Sequence, residues 1–325
     1  MNLKPRMHVL MAQQFRDTAV LVNLFQTANR LIASDGNGEI RDASVRQSLA
    51  GGVMYEIFYE PSTRTRFSFW AAAEMLGMSI CASESAGQFS SAVKGETLEH
   101  TIRVLAGQNV QVIVIRHPET GAAQRAAAVV DRYYPGKVSI INAGDGRGQH
   151  PTQALLDVYT IWRKLGRVDG ITVVVGGDLA NGRTCRSLAY LLSKFSGVRL
   201  IFVSPPELGM GEDIIAHLDE SGVSWRVETD FRSAFRSADV VYWTRVQKER
   251  LSDPGRFAEL RDVFHIGLEE VSLLKPGAIL MHPLPIAGEI SPDVDDHPQA
   301  AYFAQANNGQ FVRAALLMHI FGVSA

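Results

Sequence analysis

VMYEIFYEPSTRTRFSFWAAAEMLG, residues 53–77, joins a strand-like run to a helix through one short loop. The first eight residues form an apolar run of the buried-strand type, and Pro61 ends it. From Arg64 onward the pattern is helical. Between the two lie Ser62, Thr63, Arg64 and Thr65. A helix start carries free N–H groups and a partial positive charge, so it attracts anions. Hydroxyls and a guanidinium at the same point add charge-assisted donors for a phosphate or carboxylate. The same residues also describe an ordinary capped helix start.

Outward from this stretch the same unit recurs. VQVIVIRH (110–117) and KVSIINAG (137–144) read as further strands, with helical segments such as GETLEHTIRVLAG between them. A second series holds GITVVVGG (170–177), VRLIFVSP (198–205), SWRVETD (224–230), ADVVYWTR (238–245) and GAILMHPLP (277–285). Strand–helix alternation predicts parallel sheets covered by helices on both faces, and two series predict two α/β domains. The boundary is expected near GDGRGQHPTQ (144–153). A chain of 325 residues exceeds what one core usually serves, which agrees with two domains.

In such folds ligands bind at the carboxyl ends of strands. Unusual polar clusters sit at those ends here: residues 62–66, 116–117, 150–153, 178–184, 244–250 and 282–285. Facing one cleft, they would form a site for a small polyanion. GGDLANGRT (176–184) nearly matches a phosphate-binding loop, but Arg183 stands where that loop needs lysine. His150 and Gln153, three apart on a starting helix, suit a carbonyl and an amine; a satisfied histidine at a helix cap is the plainer alternative. Arg245 and Gln247 lie on one side of an extended segment and suit a carboxylate, or form a solvated charge run. The prolines of HPLP (282–285) leave neighbouring carbonyls outside any ladder, as in any rigid loop.

Composition limits the classes. Apolar residues make up 46% and charged residues 20%, and the net charge is -2, so no global field favours nucleic acid or a membrane surface. No apolar run approaches the ~18 residues of a membrane span. The two cysteines, Cys81 and Cys185, form no CxxC pair. They point to a reducing, cytoplasmic setting, and no secretory signal is expected in MNLKPRMHVLMAQQF. HExxH, GxSxG and carboxylate clusters are missing, so neither metal, cofactor nor covalent nucleophile is expected. Binding, orientation and charge stabilisation remain.

In order along the chain, FYEPSTRTRFSF, SSAVKGETLEHTI, VIRHPETGAA, NAGDGRGQHPTQALLD, GDLANGRT, TRVQKER and HPLP resemble the aspartate carbamoyltransferases of the aspartate/ornithine carbamoyltransferase family. The resemblance spans almost the whole chain. It implies two doubly wound, Rossmann-like parallel-sheet domains with the active site in the cleft between them. Residues 1–149, completed by a C-terminal helix at 306–325, would bind carbamoyl phosphate, and residues 150–305 would bind aspartate. The implied reaction moves the carbamoyl group of carbamoyl phosphate to the α-amine of L-aspartate, the committed step toward pyrimidines.

Carried over by motif, Ser62, Thr63, Arg64 and Thr65 hold the phosphate. Thr65, Arg116 and His150 polarise the carbonyl oxygen. Gln153 and the carbonyls of Pro283 and Leu284 orient the carbamoyl NH₂. Arg183, Arg245 and Gln247 bind the carboxylates of aspartate, with Lys94 and Leu284 also on the aspartate side. Ser90 and Lys94 reach the phosphate of a neighbouring subunit. The resemblance further implies a homotrimer with shared sites, and leaves room for a larger assembly with other chains. Ornithine enzymes resemble an HCLP pattern instead, so HPLP with TRVQKER points to a dicarboxylate acceptor. One departure stands out: the family usually reads HPLPR, and here Ile286 takes the place of that arginine. An altered acceptor, or a weakened homologue with a scaffold or regulatory role, is the alternative that follows from it.

Overall fold

The structure, a computed structural model, describes residues 4–5, 7–33, 43–83, 94–246 and 264–323. It divides into two compact units, Met1–Leu155 with Asn307–Ala325, and Leu156–Ala306.

The first unit contains α1 (Thr18–Ala33), β1 (Val53–Phe58), α2 (Thr63–Met75), β2 (Ser79–Ser83), α3 (Leu98–Ala106), β3 (Val112–His117), α4 (Ala122–Tyr133) and β4 (Ser139–Asp145). Helix α5 (Pro151–Leu165) begins in it. Its sheet runs β2-β1-β3-β4, and every pairing is parallel. Ile57, Ile113, Ile115 and Ile140 pack on one face against Leu98 and Ile102 of α3 and Ala123, Ala126 and Val130 of α4. Strand β2 was not expected from the sequence. It is an edge strand whose residues are almost all exposed, so no apolar run marks it.

The second unit holds β5 (Thr172–Gly176), α6 (Arg183–Leu192), β6 (Arg199–Val203), α7 (Glu212–Glu220), β7 (Ser224–Val227), α8 (Phe231–Ser237), β8 (Val240–Trp243) and β9 (Ile279–Met281). Helix α9 (Tyr302–Phe321) begins here and ends in the first unit. The sheet order is β7-β6-β5-β8-β9, again all parallel. Trp243 is fully buried among Phe231, Phe235 and Phe264, and its indole N–H donates to the Phe264 carbonyl at 2.9 Å. That bond satisfies the ring's one polar atom, so the whole indole counts toward the core. The fold class is therefore two parallel-sheet α/β domains, as the strand–helix alternation predicts.

Each sheet reverses direction once. In the first, the chain steps from β1 outward to β2, then returns past β1 to β3 and β4. In the second it goes from β5 to β6 and β7, then back to β8 and β9. The loops leaving the two strands at such a reversal diverge to opposite faces and open a crevice at their carboxyl ends. The switch points are β1/β3 and β5/β8.

Candidate active site

At the first switch point, β1 leads into the loop that starts α2. Ser62 occupies the N-cap position, yet its hydroxyl makes no capping hydrogen bond. Simple capping therefore does not account for it. Thr65 is buried, while Thr63 and Arg64 are exposed. The far end of α2 is closed by Gly77 at φ 79°, where the Gly77 and Met78 N–H groups donate to Glu74 and Ala73 at 3.0 Å each. This stop fixes the helix at its far end from the cluster.

Arg116 lies at the end of β3, adjacent to β1. Its Nη1 donates to the Ala143 carbonyl at 3.2 Å, and its Nε sits 3.4 Å from a Glu60 carboxylate oxygen. Sequence reasoning missed Glu60. Nothing local marks it, because its partner comes from the neighbouring strand.

After β4, the loop to α5 is shaped by Asp145. One carboxylate oxygen accepts from the Gln149 N–H at 2.7 Å and from Asn142 Nδ2 at 3.0 Å; the other accepts from the Gly121 N–H at 2.7 Å. Gly146, at φ 48°, passes so close to Pro118 and Thr120 that a Cβ would meet the Pro118 carbonyl at 2.6 Å. The glycines of NAGDGRGQHPTQ thus serve this tight passage, which delivers His150 just before α5. His150 is buried, and its carbonyl accepts from the Gln153 and Ala154 N–H groups. Pro151 opens the helix, where a missing N–H costs nothing. So Ser62–Thr65, Arg116 and His150 with Gln153 leave the carboxyl ends of three neighbouring strands of one sheet.

The second switch point carries Arg183 and Arg245, both half-buried. Gly176 and Gly177 end β5 where β8 presses against it. A Cβ on Gly176 would fall 2.1 Å from the Trp243 ring, and one on Gly177, at φ 103°, 2.1 Å from the Thr244 carbonyl. Close backbone packing at Gly177, and at Gly182, where a Cβ would fall 2.6 Å from the Asp178 carbonyl, thus explains the two glycines that made GGDLANGRT look like a phosphate loop. Asp178, fully buried, then accepts from the Asn181 N–H and side-chain amide at 3.0 Å and folds the loop that starts α6 at Arg183.

Beyond β9 the HPLP segment is held by a buried network. Tyr242 donates to Asp157 at 2.9 Å, and the Gln305 amide donates to the other Asp157 oxygen at 2.6 Å. The Gln305 carbonyl oxygen accepts from the His282 N–H at 2.9 Å. His282 Nδ1 accepts from the Leu284 N–H at 2.8 Å, so Nε2 carries the ring proton, 2.8 Å from Glu289 Oε1. This contact supports Leu284 at φ 54°, a left-handed value unusual for leucine, and the Leu284–Pro285 bond is cis. Burial raises the Glu289 carboxyl, but the adjacent His282 imidazole and the Ala287 N–H outweigh it and hold the acid below its ordinary value. Glu289→Ala leaves a buried imidazole N–H and the Ala287 N–H without their acceptor. It is expected to destabilise the protein by about 3 kcal/mol, read as a lowered thermal midpoint.

Ile286 is half-buried and packs, with Leu284, against the core of the second unit. Lys94 is exposed ahead of α3. Ser90 and Gln247 lie outside the described residues. Asp157, Glu60 and Glu289 are supporting groups the sequence reading did not find; Asp178 fell within the 178–184 cluster but without its supporting role.

Residues 7–163 match the carbamoyl-P binding domain of the aspartate/ornithine carbamoyltransferases, and residues 169–320 match their Asp/Orn binding domain. Aspartate carbamoyltransferase 1, chloroplastic, of Pisum sativum is 48% identical over 95% of this chain and 77% of its own. The chloroplastic enzyme of Oryza sativa subsp. japonica is 47% identical over 95% of this chain and 83% of its own. Aspartate transcarbamoylase of Trypanosoma cruzi, solved with N-(phosphonacetyl)-L-aspartic acid, superposes with a TM-score of 0.87 at 36% identity, covering 98% of this chain and 96% of that one. Its complex with carbamoyl phosphate and aspartate gives a TM-score of 0.85 at 36% identity, over 98% and 97%.

These relatives overturn one expectation. The plant proteins are chloroplastic, so the cytoplasmic setting read from the cysteines and the first residues is withdrawn. Scarce cysteine marks reducing surroundings, and more than one compartment supplies those. With both domains matched in order, and nearly half of its residues shared with the plant enzymes, the chain belongs to the aspartate/ornithine carbamoyltransferase family.

Proposed function

We propose that the chain transfers the carbamoyl group of carbamoyl phosphate to the α-amine of L-aspartate, giving N-carbamoyl-L-aspartate and phosphate. The observation that carries this reading is the placement of cationic residues at both switch points: Arg64 and Arg116 in the first unit, Arg183 and Arg245 in the second. Two anionic substrates need two such sets.

In this reading Ser62, Thr63, Arg64 and Thr65 take the phosphate through hydroxyls, guanidinium and the free N–H groups of α2. Arg116, His150 and Thr65 receive the carbonyl oxygen as it gains charge. The neutral aspartate amine attacks the carbonyl carbon, the C–O bond to phosphate breaks, and one amine proton passes to the leaving phosphate. Gln153 and the Pro283 and Leu284 carbonyls orient the carbamoyl NH₂. Arg183, Arg245 and Gln247 hold the aspartate carboxylates, with Lys94 and Leu284 beside them. No metal, cofactor or covalent intermediate enters the scheme. The first unit serves carbamoyl phosphate and the second aspartate. The chain works as a homotrimer in which Ser90 and Lys94 serve a neighbour's phosphate. The reading places the reaction in pyrimidine synthesis.

The test is product formation from carbamoyl phosphate with aspartate, ornithine and other amines. Aspartate is expected to dominate, and a preference for another amine retires the acceptor assignment. Arg183→Ala and Arg245→Ala are each expected to weaken aspartate use by about 2–5 kcal/mol, the cost of stranding a desolvated carboxylate. The trimer is checked by sedimentation equilibrium. No observation favours the weakened homologue suggested by Ile286, whose side chain has a place against the core.

A further inference from the structure

Glu56 sits in the middle of β1, paired in register with Ala82 of β2 and Val114 of β3, which bring no charge to it. It is 1% exposed, and among the described residues neither carboxylate oxygen has a hydrogen-bond partner. Among the described residues, two cations face it from helices packed on the sheet. Arg66, in the first turn of α2, places its Nε 3.9 Å from Glu56 Oε2, and Arg313 comes from α9. Arg313 is itself anchored, donating to Ser68 Oγ at 2.5 Å and lying 4.9 Å from the Phe69 ring centre. Arg66 is tied by its backbone to the candidate anion loop, because its N–H donates to the Ser62 carbonyl at 3.1 Å. A buried acid with no hydrogen bond is a poor structural anchor, but its charge acts on Arg66 at close range.

We propose that Glu56 is a proton-linked positioning residue of the anion site: as a neutral acid it leaves the first turn of α2 electropositive, and as a carboxylate it draws Arg66 inward and weakens the hold on a phosphate-like dianion. This rests on the reading that Ser62–Thr65 holds the phosphate. Burial pushes the Glu56 acid up to about 8, with Arg66 and Arg313 opposing in part, so the two forms exchange within a usable pH range. By linkage, dianion binding then takes up a proton near pH 8.

Sulfate is the probe, since it stays a dianion and exchanges no proton between pH 7 and 9. Its binding to the whole protein is measured by calorimetry across that range for the wild type, Glu56→Gln and Arg64→Ala. The wild type is expected to lose affinity on the order of fivefold from pH 7 to 9, the size of a charge acting across a few side chains. Glu56→Gln should keep the pH 7 affinity throughout, and Arg64→Ala should bind sulfate weakly at every pH. Loss of binding in Arg64→Ala with equal slopes in the other two proteins overturns the role of Glu56 and leaves the anion site standing. Undiminished binding in Arg64→Ala removes the anion site itself, and the proposal with it. Should Glu56→Gln not fold, wild-type titrations at pH 8 in two buffers of different ionisation enthalpy decide: net proton uptake supports the proposal, and none overturns it.

Discussion

Replacing Arg64 with alanine is expected to cut kcat/KM by about 10²–10³-fold while leaving the thermal midpoint nearly unchanged. The separation follows from where the side chain lies. Arg64 is the second residue of α2 and is exposed, and among the described residues it has no hydrogen-bond or salt-bridge partner. Partial desolvation lowers its guanidinium below the ordinary value, though not enough to discharge it. Folding therefore gains little from it. In the proposed reaction, by contrast, the departing phosphate would accumulate negative charge at the start of this helix, where a fixed cation acts mainly in the transition state. Arg64→Lys keeps the charge but not the planar fork, so it should recover only part of the loss. The measurements are steady-state kinetics and thermal unfolding on the same preparations. A drop in stability matching the drop in rate would make Arg64 a folding residue instead.

Glu56 is expected to have the opposite signature, a large effect on stability that depends on pH. Its acid is raised from 4.5 to about 8 by burial. Between those values the folded protein keeps the proton and the unfolded chain has lost it, so the unfolded state binds fewer protons and stability falls as pH rises. The cost accrues from about pH 4.5 upward and is complete above about pH 8. At roughly 1.4 kcal/mol per unit, the span corresponds to about 5 kcal/mol, comparable with the whole stability of a typical domain. Glu56→Gln removes the ionisation and should flatten this slope, making the variant the more stable protein at pH 8.5 but not at pH 5. Urea unfolding at the two pH values measures it. An unchanged slope in Glu56→Gln would place the wild-type carboxylate in contact with water.

Most strands were legible because a buried parallel strand is a short apolar run between turn residues, as VQVIVIRH and GITVVVGG show. The exposed edge strand Ser79–Ser83 lacks that signature and was passed over. The cluster at Ser62–Thr65 stood out for an equally local reason, since helix-start chemistry is confined to one turn. The supporting groups did not stand out. Glu60 acquires meaning only beside Arg116, and Glu289 only beside His282. Asp157 looks like any helical aspartate until Tyr242 and Gln305 are seen to donate to it. GGDLANGRT carried a misleading signal, because glycines demanded by close backbone packing and glycines demanded by a phosphate are spelled alike.

Periodicity and helix-start residues, which act within a few positions of the chain, were enough to determine two α/β domains, a parallel arrangement of strands and the polar character of the strand ends. The three-dimensional fold alone decided which strands became neighbours, and so where each sheet reverses, which acid meets which arginine, and that Glu56 is buried deeply enough to keep its proton far above the ordinary carboxylate range. Those outcomes depend on register between segments far apart in sequence, where the energy lies in pairwise contacts that no single stretch contains.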